Sequence, residues 1–406
     1  MSLAPAVILE AVRTPRGLAK PEGALAGVRP IALLEALFGE LSRRDARLLD
    51  EAEDVVLGCV TQTGEQGADL ARIAALYAGV CPRASGVTLN RFCVSGLAAL
   101  EFAALRASAD DSVIVAGGVE SMSRVPMFSD QGAWFADPEV AARTGFVHMG
   151  IAADLVATIH GVDRARLDGI AARSHARAAL ARDEGRFARS VVAVETPDGR
   201  VVVEDEAIRP DCTLESLAAL PSAFAKVGAK GADAFVRSRH PEVAELRHDH
   251  TVGTSPAMVD GASLLVVAGE GAARRLGAKP RARVLASAHA TVDPVVMLTA
   301  GPLATRKALA KAGLEVTEVD VFEFNESFAA VVAHYQDSLG IPDERLCPNG
   351  GAIALGHALG ATGGNLVSML IDELERRDGR YGVAAICGGA GIASAIVIER
   401  WAEDRA

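Results

Sequence analysis

Short apolar runs rich in β-branched residues alternate along the chain with longer stretches rich in alanine and leucine. Runs such as VILEAVRT and SVIVAGGVE have the length and composition of buried strands. Stretches such as RPIALLEALFGEL and LAALEFAALRA repeat apolar residues at helical spacing. Alternation of strands with helices is typical of the α/β class, and the pattern predicts an α/β fold.

The predicted elements occur in the same order twice. In the first half they are VILEAVRT, RPIALLEALFGEL, DVVLGCV, DLARIAALYA, the run into NRFCVSG, LAALEFAALRA and SVIVAGGVE. In the second half they are RVLASAHATV, TRKALAKAG, DVFEFN, ESFAAVVAHYQ, NGGAIALGHALG, GGNLVSMLIDELERR and GVAAICGGAG. Each half places one reactive side chain, Cys93 or His357, where a loop meets a helix. The order of elements predicts an internal duplication.

Residues 120–250 depart from this pattern. Helical stretches such as RLDGIAARSHARAALARDEGRF are mixed there with loops that carry many prolines and charges. We interpret this segment as an inserted, mostly helical and loop-rich subdomain. The strand-like run GASLLVVAGE at 261–270 is predicted to return to the first half. The expected divisions are therefore 1–119 with 251–270, then 120–250, then 271–406.

Length and charge narrow the range of partners. At 406 residues the chain exceeds what one compact core holds, so two or three domains are expected. The formal net charge of −11 argues against a general attraction to nucleic acid or to an anionic membrane. An anionic substrate would need a local basic patch. Lys226, Lys230, Arg237 and Arg239, against the single Asp233, are one candidate, and a solvated surface is the alternative.

The six cysteines are scattered along the chain and contain no CxxC pair. This spacing is unlike a disulfide framework and suits a reducing, cytoplasmic location. The N-terminal run MSLAPAVILEAVRTP has no basic region before its apolar residues, so we expect a first strand rather than a signal peptide. No uncharged apolar stretch reaches about 18 residues, and no membrane-spanning helix is expected.

Cys93 stands directly after a polar turn and before an apolar helix, in TLNRFCVSGLAAL. A thiol acts as a nucleophile in its thiolate form, and the N-terminus of a helix favours that anion. Ser95 and Gly96 would allow a close approach of the backbone at this point. The alternative for a single cysteine is a small buried hydrophobic residue.

His357 lies in NGGAIALGHALGATGG, at the point where a phosphate-binding P-loop needs lysine followed by serine or threonine. A P-loop nucleotide site is therefore excluded. Backbone N–H groups around a histidine at a helix start oppose its protonation, so its neutral imidazole could act as a base. A purely structural histidine is the alternative.

Two further positions have both a chemical and a structural interpretation. Cys387 ends a buried strand that enters a Gly-Gly turn, and Asn325 and Glu326 follow an apolar strand in FEFNESFAA. Taken alone, Cys387 fits a buried structural residue and Asn325 fits the N-cap of the next helix. The segment HDH at 248–250 is interpreted as a loop, with no metal site expected.

Together these positions resemble the motifs of the thiolase family, the acyl-CoA acetyltransferases that make or cleave 3-oxoacyl-CoA. The resemblance extends over AVRTPRG, NRFCVSGLAAL, AGGVESMSRVPM, HMG, TSPAMVDGA, NESFAA, NGGAIALGHALGATG and RYGVAAICGG, nearly the whole chain. Cys93 with Ser95 matches the family's C-x-S motif, and Cys387 with Gly389 matches its C-x-G motif. The resemblance implies a five-layered α/β core of two duplicated αβαβα-type halves, with the insert as a loop subdomain.

The resemblance also implies a two-step acyl transfer with ping-pong kinetics. Cys93 would be acylated, His357 would be its general base, and Cys387 would move a proton to or from the α-carbon of the acetyl unit. One oxyanion site would use His357 and a water held by Asn325, and the other would use the N–H groups of Cys93 and Gly389. No permanently bound cofactor is expected, and coenzyme A is expected as substrate and product.

Recognition of coenzyme A is expected from the inserted segment and its borders. The resemblance implies His148 and Met149 near the pantetheine and acyl end, and Ser255 in the turn TSPAMVDGA. The predicted substrate-binding set also includes Met297, Phe328 and Lys226.

The chain departs from the family pattern at three positions, and its insert indicates a subgroup. Ala358 stands where proline is common, Thr254 where asparagine is usual, and Pro256 where a small polar residue is usual. The last two lie where pantetheine contacts are expected. The long segment GAKGADAFVRSRHPEVAELRHDH resembles a degradative subgroup, which favours cleavage of 3-oxoacyl-CoA longer than acetoacetyl-CoA.

Three alternatives stay open at this point. One is a biosynthetic thiolase that condenses two acetyl-CoA molecules, and another is a non-catalytic homologue that binds CoA or lipid. A third is a condensing enzyme of ketoacyl-synthase type that acts on carrier-protein thioesters, against which Cys387 in C-x-G argues. The expected assembly is a homodimer or homotetramer, with acyl-CoA and CoA as ligands and neither nucleic acid nor membrane as a partner.

Overall fold

The computed structural model describes residues 6–402. Its strands are β1 (Ala6–Arg13), β2 (Gly17–Leu18), β3 (Ala52–Gly58), β4 (Ser85–Leu89), β5 (Val113–Glu120), β6 (Val194–Glu195), β7 (Val201–Val202), β8 (Val259–Gly269), β9 (Ala282–Thr291), β10 (Val321–Phe324), β11 (Tyr381–Cys387) and β12 (Ile392–Arg400). The predicted strands of both halves are present. The sequence pattern did not predict β12, whose apolar residues continue directly from the glycine-rich turn after β11.

The helices predicted for the two halves are present between these strands, and other helices accompany them. They are α1 (Pro30–Asp50), α2 (Leu70–Tyr77), α3 (Ser95–Asp110), α4 (Ala133–Ala136), α5 (Pro138–Thr144), α6 (Met149–Ile159), α7 (Arg164–Asp183), α8 (Leu214–Ala218), α9 (Ala225–Val227), α10 (Asp233–Arg239), α11 (Glu270–Leu276), α12 (Gly301–Ala312), α13 (Ala329–Leu339), α14 (Ala352–Leu355) and α15 (Thr362–Arg377). Single turns of 3₁₀-helix cover Gly64–Gln66, Val252–Thr254, Val316–Glu318, Asp343–Arg345, Leu359–Ala361 and Gly389–Gly391, and one π-turn covers Gly228–Ala232.

Within residues 6–402, every strand except β6 and β7 belongs to one continuous sheet. Its order is β10-β11-β12-β9-β1-β8-β5-β3-β4, with β2 beside β8. β1 pairs with β9 over only three residues, 6–8 against 282–284, and this short antiparallel contact joins the strands of the two halves. β6 and β7 pair with each other, in the segment between the halves.

The strand pairing repeats in the two halves, as the sequence predicts. In the first half β3 is parallel to β5, β5 is antiparallel to β8, and β8 is antiparallel to β1. In the second half β10 is parallel to β11, β11 is antiparallel to β12, and β12 is antiparallel to β9. A single parallel bridge between Phe322 and Leu346 lies where the first half has β4 beside β3.

Alternate residues along the strands face different helices, because side chains on a strand point to opposite faces in turn. On β1, Val7 packs in a cluster with α1 and α2, whereas Ile8 packs in a cluster with α3 and α15. On β12, Val397 packs in a cluster with α12 and α13, whereas Ile398 joins α3 and α15. Helices α3 and α15 therefore form a middle layer between two layers of strands, and outer helices complete the five layers.

The two middle helices touch each other backbone to backbone. A Cβ added at Gly363 would lie 2.1 Å from the backbone nitrogen of Leu97, and one added at Gly96 would lie 2.8 Å from the backbone nitrogen of Gly363. Only glycine permits an approach this close. Because Cys93 precedes α3 and His357 precedes α15, this contact brings the two predicted site residues towards one another.

The segment 120–250 contains helices α4 to α10 and the short pair β6 and β7, joined by loops. Its helix α6 packs with α13 of the second half in one buried cluster. A mostly helical and loop-rich segment therefore lies beside the second half.

Two segments, Phe92–Asp110 and Pro138–Ile159, are long and apolar enough to cross a membrane by length and composition alone. The sequence analysis did not anticipate them. In both, 56% of the apolar window is buried inside the fold. The first contains α3, in the middle layer, and the second is interrupted between α5 and α6 by Gly145 with φ of 75°. Packing in the core accounts for the apolar character of both.

Candidate active site

Cys93 lies in a tight turn that ends two residues before α3 begins. The Oδ1 atom of Asn90 accepts a hydrogen bond from the N–H of Phe92 (2.8 Å). The Oγ atom of Ser95 accepts one from the N–H of Arg91 (2.8 Å) and donates one to the carbonyl of Phe92 (2.6 Å). Phe92 itself has the left-handed φ of 49°. These local bonds fix the turn and present Cys93 to a cavity.

His357 follows the short helix α14 and faces the same cavity. Its backbone N–H donates to the carbonyl of Ala257 (2.9 Å), and its Nδ1 lies 2.7 Å from Oγ1 of Thr362. Its buried Nε2 has no hydrogen-bond partner among the residues described. Burial, together with the positive charge of Arg16, lowers the pKa of His357 to about 4. The imidazole is therefore neutral at pH 7, and the cause is burial and Arg16 rather than the backbone N–H groups that the sequence analysis invoked.

Cys387 is the last residue of β11 and is 1% exposed. The backbone N–H groups of Ala300 and Gly301, at the start of α12, interact with its Sγ atom. A Cβ added at Gly301 would lie 3.1 Å from this sulfur. Burial raises the pKa of the Cys387 thiol to about 12, and the two N–H groups oppose that rise. A helix N-terminus therefore faces Cys387, which the sequence analysis did not foresee.

Burial outweighs the stabilisation expected for the Cys93 thiolate from the N-terminus of α3. Burial raises the pKa of Cys93 to about 12, although the backbone N–H groups of Gly389 and of Cys93 itself favour the anion. Burial destabilises the thiolate more than these two N–H groups stabilise it, so the thiol is neutral at pH 7. Cys93 can react only when a base takes its proton.

Asn325 lies behind the cavity wall rather than at its surface. Its side chain is buried, its Nδ2 donates to Oγ of Ser327 (2.9 Å), and its Oδ1 has no partner within residues 6–402. The residue that lines the cavity is Ser327. Asn325 is not an N-cap, since α13 begins at Ala329 and its N-cap is Phe328, without a side-chain cap bond.

One cavity of about 300 Å³ brings most of the predicted site residues together. Cys93, His357, Cys387 and Gly389 line it, from the two halves of the chain. Its other lining residues are Val60, Thr61, Asn90, Phe92, Met122, Met127, Phe128, Asp130, Trp134, Phe135, His148, Met149, Phe224, Ser255, Pro256, Ala257, Met258, Leu298, Ser327, Phe328, Leu359 and Gly388. Two thiols, a neutral imidazole and backbone N–H donors in one largely apolar cavity are suited to acyl transfer through a thioester.

Four of the predicted substrate-binding residues also line this cavity: His148, Met149, Ser255 and Phe328. His148 caps α6, since its Nδ1 accepts the N–H of Gly150 at 3.1 Å. Ser255 donates from Oγ to the carbonyl of Thr251 at 2.8 Å. The segment 255–258 is held there by the bridge between Met258 and His357.

Two predicted substrate-binding residues lie elsewhere. Met297 is fully buried in the core, with φ of 57°, and its neighbour Leu298 lines the cavity instead. Lys226 is exposed on α9 and does not line the cavity, although Phe224, two residues earlier, does. Sequence position alone could not show which neighbour of each pair points inwards.

The three departures from the family pattern have different surroundings. Pro256 lines the cavity. Thr254 is buried, and its Oγ1 accepts the N–H of Thr251 at 2.9 Å, so it holds its own turn. Ala358 is buried in a small cluster with Val259. Of the three, only Pro256 is in a position to touch a ligand in this cavity.

The HDH segment at 248–250 is a loop, as expected, and it hydrogen-bonds to a buried carboxylate. Asp154 on α6 lies 2.8 Å from Nδ1 of His248 and 2.9 Å from Nδ1 of His250. The Nε2 atom of His250 accepts the N–H of Ala330, at the start of α13 (3.3 Å). Within residues 6–402 no group of three or more His, Cys, Asp or Glu side chains is arranged to hold a metal ion.

Glu120 accepts hydrogen bonds from two loops next to the cavity, and the sequence analysis did not identify it. Its buried carboxyl group accepts the N–H groups of Val60 (2.9 Å), Thr61 (3.0 Å) and Gly360 (3.0 Å), and the side-chain amide of Gln66 (2.9 Å). Burial raises its pKa, and these donors oppose that rise. Glu120 therefore ties the loop after β3 to the loop after His357. Its place in AGGVE, at the end of a buried strand, was the only signal in the sequence.

Comparisons with known proteins show which family the chain belongs to. Residues 6–235 match the family model described as the N-terminal domain of thiolase, and residues 278–400 match the C-terminal domain of thiolase. The chain is 40% identical over 407 residues to a 3-ketoacyl-CoA thiolase of Shewanella frigidimarina, which covers 97% of this chain and 99% of the relative.

Two other relatives carry different names. A beta-ketoadipyl-CoA thiolase of Escherichia coli is 38% identical over 419 residues, covering 97% of this chain and 99% of the relative. The crystal structure of the Bacillus anthracis acetyl-CoA acetyltransferase superposes with a TM-score of 0.85 and 32% identity, covering 98% of this chain and 99% of that one. The chain belongs to the thiolase family of acyltransferases.

Proposed function

We propose that the protein cleaves 3-oxoacyl-CoA with free coenzyme A, giving acetyl-CoA and an acyl-CoA shortened by two carbons. The observation that carries this proposal is the single cavity that contains Cys93, His357 and Cys387. Its 3-ketoacyl-CoA thiolase relatives support the substrate class. Coenzyme A takes part as substrate and product, and the proposed chemistry uses no permanently bound group.

The first half-reaction acylates Cys93. Nδ1 of His357 is held by Thr362 and Nε2 is free, so we assign the proton to Nδ1 and the basic lone pair to Nε2. Nε2 takes the proton of the Cys93 thiol, and Sγ attacks the 3-oxo carbon of the substrate. The bond between C2 and C3 then breaks, and C2 of the leaving acetyl-CoA takes its proton from Cys387. The acyl group remains on Cys93 as a thioester.

The second half-reaction releases the acyl group. The Cys387 thiolate takes the proton of incoming coenzyme A, whose sulfur attacks the acyl carbon on Cys93. The Cys93 sulfur leaves and recovers its proton from the imidazolium of His357. The N–H of Gly389, which interacts with Cys93 Sγ, is suited to stabilise the carbonyl oxygen that becomes negative. Asn325, through Ser327 or a water, is proposed to serve the other oxyanion.

Thiolysis rates and acylation of matched variants test these roles. With 3-oxohexanoyl-CoA and CoA, Cys93→Ser and Cys387→Ser are each expected to lose at least about 1,000-fold in kcat, since each removes one reacting group. Intact-protein mass spectrometry after incubation with acetyl-CoA should show a labelled protein for Cys387→Ser and none for Cys93→Ser. Cys212→Ser, which changes a half-buried cysteine outside the cavity, is the control. Full activity of Cys93→Ser would overturn the mechanism.

The direction of the reaction and the location of the enzyme are also part of the proposal. A biosynthetic thiolase that condenses two acetyl-CoA molecules is the second candidate, and the acetyl-CoA acetyltransferase of similar structure supports it. Net rates from acetyl-CoA alone, compared with thiolysis rates, separate the two. We place the enzyme in the cytoplasm, a reducing compartment, which suits six free cysteines.

A homo-oligomer is proposed from one exposed apolar edge. Among the residues described, β4 pairs only with β3, so its other edge is free. Exposed apolar side chains lie on β4 and on the neighbouring helices α2 and α3: Ile73, Leu76, Tyr77, Val87, Phe102 and Leu105. Light scattering should show a dimer or tetramer that Leu105→Glu shifts to monomer, while Leu303→Glu, on α12, does not. A monomeric wild type would contradict this proposal.

A further inference from the structure

Aromatic side chains are scarce in this chain and concentrated around one cavity. The sequence has 12 Phe, 2 Trp and 3 Tyr, only 4% of its residues. Six of these aromatic residues line the cavity that contains Cys93: Phe92, Phe128, Trp134, Phe135, Phe224 and Phe328. Four of the seven methionines line it as well: Met122, Met127, Met149 and Met258. A lining of this kind needs a ligand with a large apolar surface.

The aromatic residues divide into two walls. Phe224 and Phe328 pack on one another (6.0 Å between ring centroids) beside His148, where pantetheine is expected. On the other side, Phe92 packs against Trp134 (4.9 Å), and Phe128 packs against Phe135 (4.5 Å). We call the second group, with Phe92, Phe128, Trp134 and Phe135, the aromatic wall.

Ring contacts and backbone conformation hold the aromatic wall in a defined position. Phe146, behind it, makes edge-to-face contacts with Trp134 (4.9 Å) and with Phe128 (6.4 Å). Phe128 and Gln131 both hold left-handed φ values, 72° and 54°, which cost free energy in residues with a bulky side chain. A loop that keeps two such residues and a rigid ring cluster behind them fixes where the wall faces the cavity.

The wall adjoins the reacting atoms. A Cβ added at Gly389 would lie 3.0 Å from the far edge of the Trp134 ring and 3.2 Å from the Phe92 ring. The N–H of Gly389 interacts with Sγ of Cys93, so an acyl group bound to that sulfur starts beside these two rings. The pantetheine chain would occupy the opposite wall, which leaves the aromatic wall to the acyl group.

Charge in the lining limits the acyl groups further. Asp130 is the only Asp, Glu, Lys or Arg among the lining residues, and it lies on the same loop as Phe128. No lining cation is present to pair with an acyl group that ends in a carboxylate, and Asp130 would repel it. At about 300 Å³, the cavity is also at the small end of the range for ligand sites, which favours an acyl group of medium length over a long chain.

We propose that the aromatic wall is the acyl subsite and that it selects uncharged, apolar 3-oxoacyl groups of medium length or with a ring, against groups that end in a carboxylate. This proposal rests on the proposed thiolysis. Rings and methionine side chains can follow acyl groups of different shape, whereas an unpaired carboxylate would lose its water without compensation.

A matched substrate pair tests the proposal. 3-Oxohexanoyl-CoA and 3-oxoadipyl-CoA have equally long acyl chains and differ in a terminal methyl or carboxylate. We expect kcat/KM for thiolysis to be at least about 100-fold higher for the uncharged substrate. It should also be higher for 3-oxooctanoyl-CoA than for acetoacetyl-CoA. Equal rates for the matched pair, or a clear preference for acetoacetyl-CoA, would overturn the proposal and leave the proposed function standing.

Variants locate the effect in the wall. Trp134→Ala should lower kcat/KM for 3-oxooctanoyl-CoA about 10- to 100-fold and change that for acetoacetyl-CoA much less, while Trp134→Phe keeps most of the activity. Asp130→Lys, at an exposed position, should raise kcat/KM for 3-oxoadipyl-CoA at least about 10-fold. Leu214→Ala, an exposed apolar residue on α8, is the control and should change neither. No thiolysis of any of the four substrates would instead mean that the proposed function is wrong.

Discussion

His357 shares its cavity with the thiols of Cys93 and Cys387, and burial shifts the pKa of all three groups. The shifts run towards the neutral form in each case, because a low-polarity cavity disfavours charge of either sign. The free Nε2 of His357 can then accept a proton without first losing one. At the residue scale, the two thiols and the imidazole are all neutral at pH 7, and protons can pass between them.

The pH dependence of thiolysis should reflect this arrangement. The base works in its neutral form, above its pKa, and that pKa is about 4. The acid limb of kcat/KM should therefore lie well below pH 6.5, with a flat region from about pH 6 to pH 9 because the thiol pKa values are about 12. Half-loss of activity near pH 6.5, with circular dichroism unchanged, would contradict this assignment.

Thr362 is a positioning residue for His357, since it contacts the imidazole through Nδ1 and not the cavity. Thr362→Val removes the acceptor for Nδ1–H and should lower kcat about 10- to 100-fold with little change in KM. Steady-state kinetics with 3-oxohexanoyl-CoA would measure kcat and KM separately. Thr362→Ser should restore most of kcat, and a Thr362→Val enzyme with unchanged kcat would remove this role.

At the scale of elements, two helices and the loops before them set the distance between the halves of the site. α3 follows Cys93, α15 follows His357, and the helices meet through Gly96 and Gly363 without intervening side chains. Glu120, at the end of β5, accepts a hydrogen bond from the N–H of Gly360 in the loop after His357. The sequence predicted both helices, but not that they would touch one another.

The close contact of the helices is testable by adding one methyl group. Gly363→Ala would place a Cβ 2.1 Å from a backbone atom of α3 and should lower the free energy of unfolding by about 1–3 kcal/mol or more, together with kcat. Gly39→Ala is the matched control, because Gly39 lies within α1 with nothing inside 4 Å of its Cβ position. That change should stabilise by about 0.5–1 kcal/mol in urea unfolding. Equal effects of the two changes would refute the contact.

At the scale of the whole molecule, a buried cluster of one carboxylate and two guanidinium groups joins the sheet to the segment 120–250. Asp205 lies 2.9 Å from Arg13, on β1, and 3.0 Å from Arg16, and all three side chains are nearly inaccessible to water. Burial alone would raise the pKa of Asp205, but the two guanidinium groups hold it below its ordinary range. Arg16 in turn contributes to the low pKa of His357, so this cluster connects the insert to the site.

Removing this carboxylate should leave two buried cations without their carboxylate partner. Asp205→Asn is expected to cost about 3–5 kcal/mol of unfolding free energy in urea titrations. Because the pKa of Asp205 is lowered in the folded protein, its contribution is present above the unfolded value of about 3.9 and is lost as the pH falls through the folded value. The deficit should therefore be the same at pH 6 and pH 8. Glu204→Gln, at the exposed neighbouring position, should leave the free energy of unfolding almost unchanged.

What the sequence by itself determined is the set of local elements and reactive residues. The periodicity of apolar residues predicted the strands and helices of both halves, because burial on one face leaves that trace in the chain. Resemblance to the thiolase motifs identified Cys93, His357, Cys387 and Gly389, which the cavity brings together. β12 was missed because its apolar run has no polar break from the turn before it.

Only the tertiary structure decided the relations between distant residues. Met297 and Leu298 are adjacent in the chain, yet packing buries one and turns the other to the cavity. The neutral state of Cys93 depends on what surrounds its sulfur, and the start of α12 faces Cys387 across the fold. The aromatic wall joins residues from separate elements. Desolvation and contact between segments far apart in sequence leave no periodic signal, so three-dimensional packing alone fixes them.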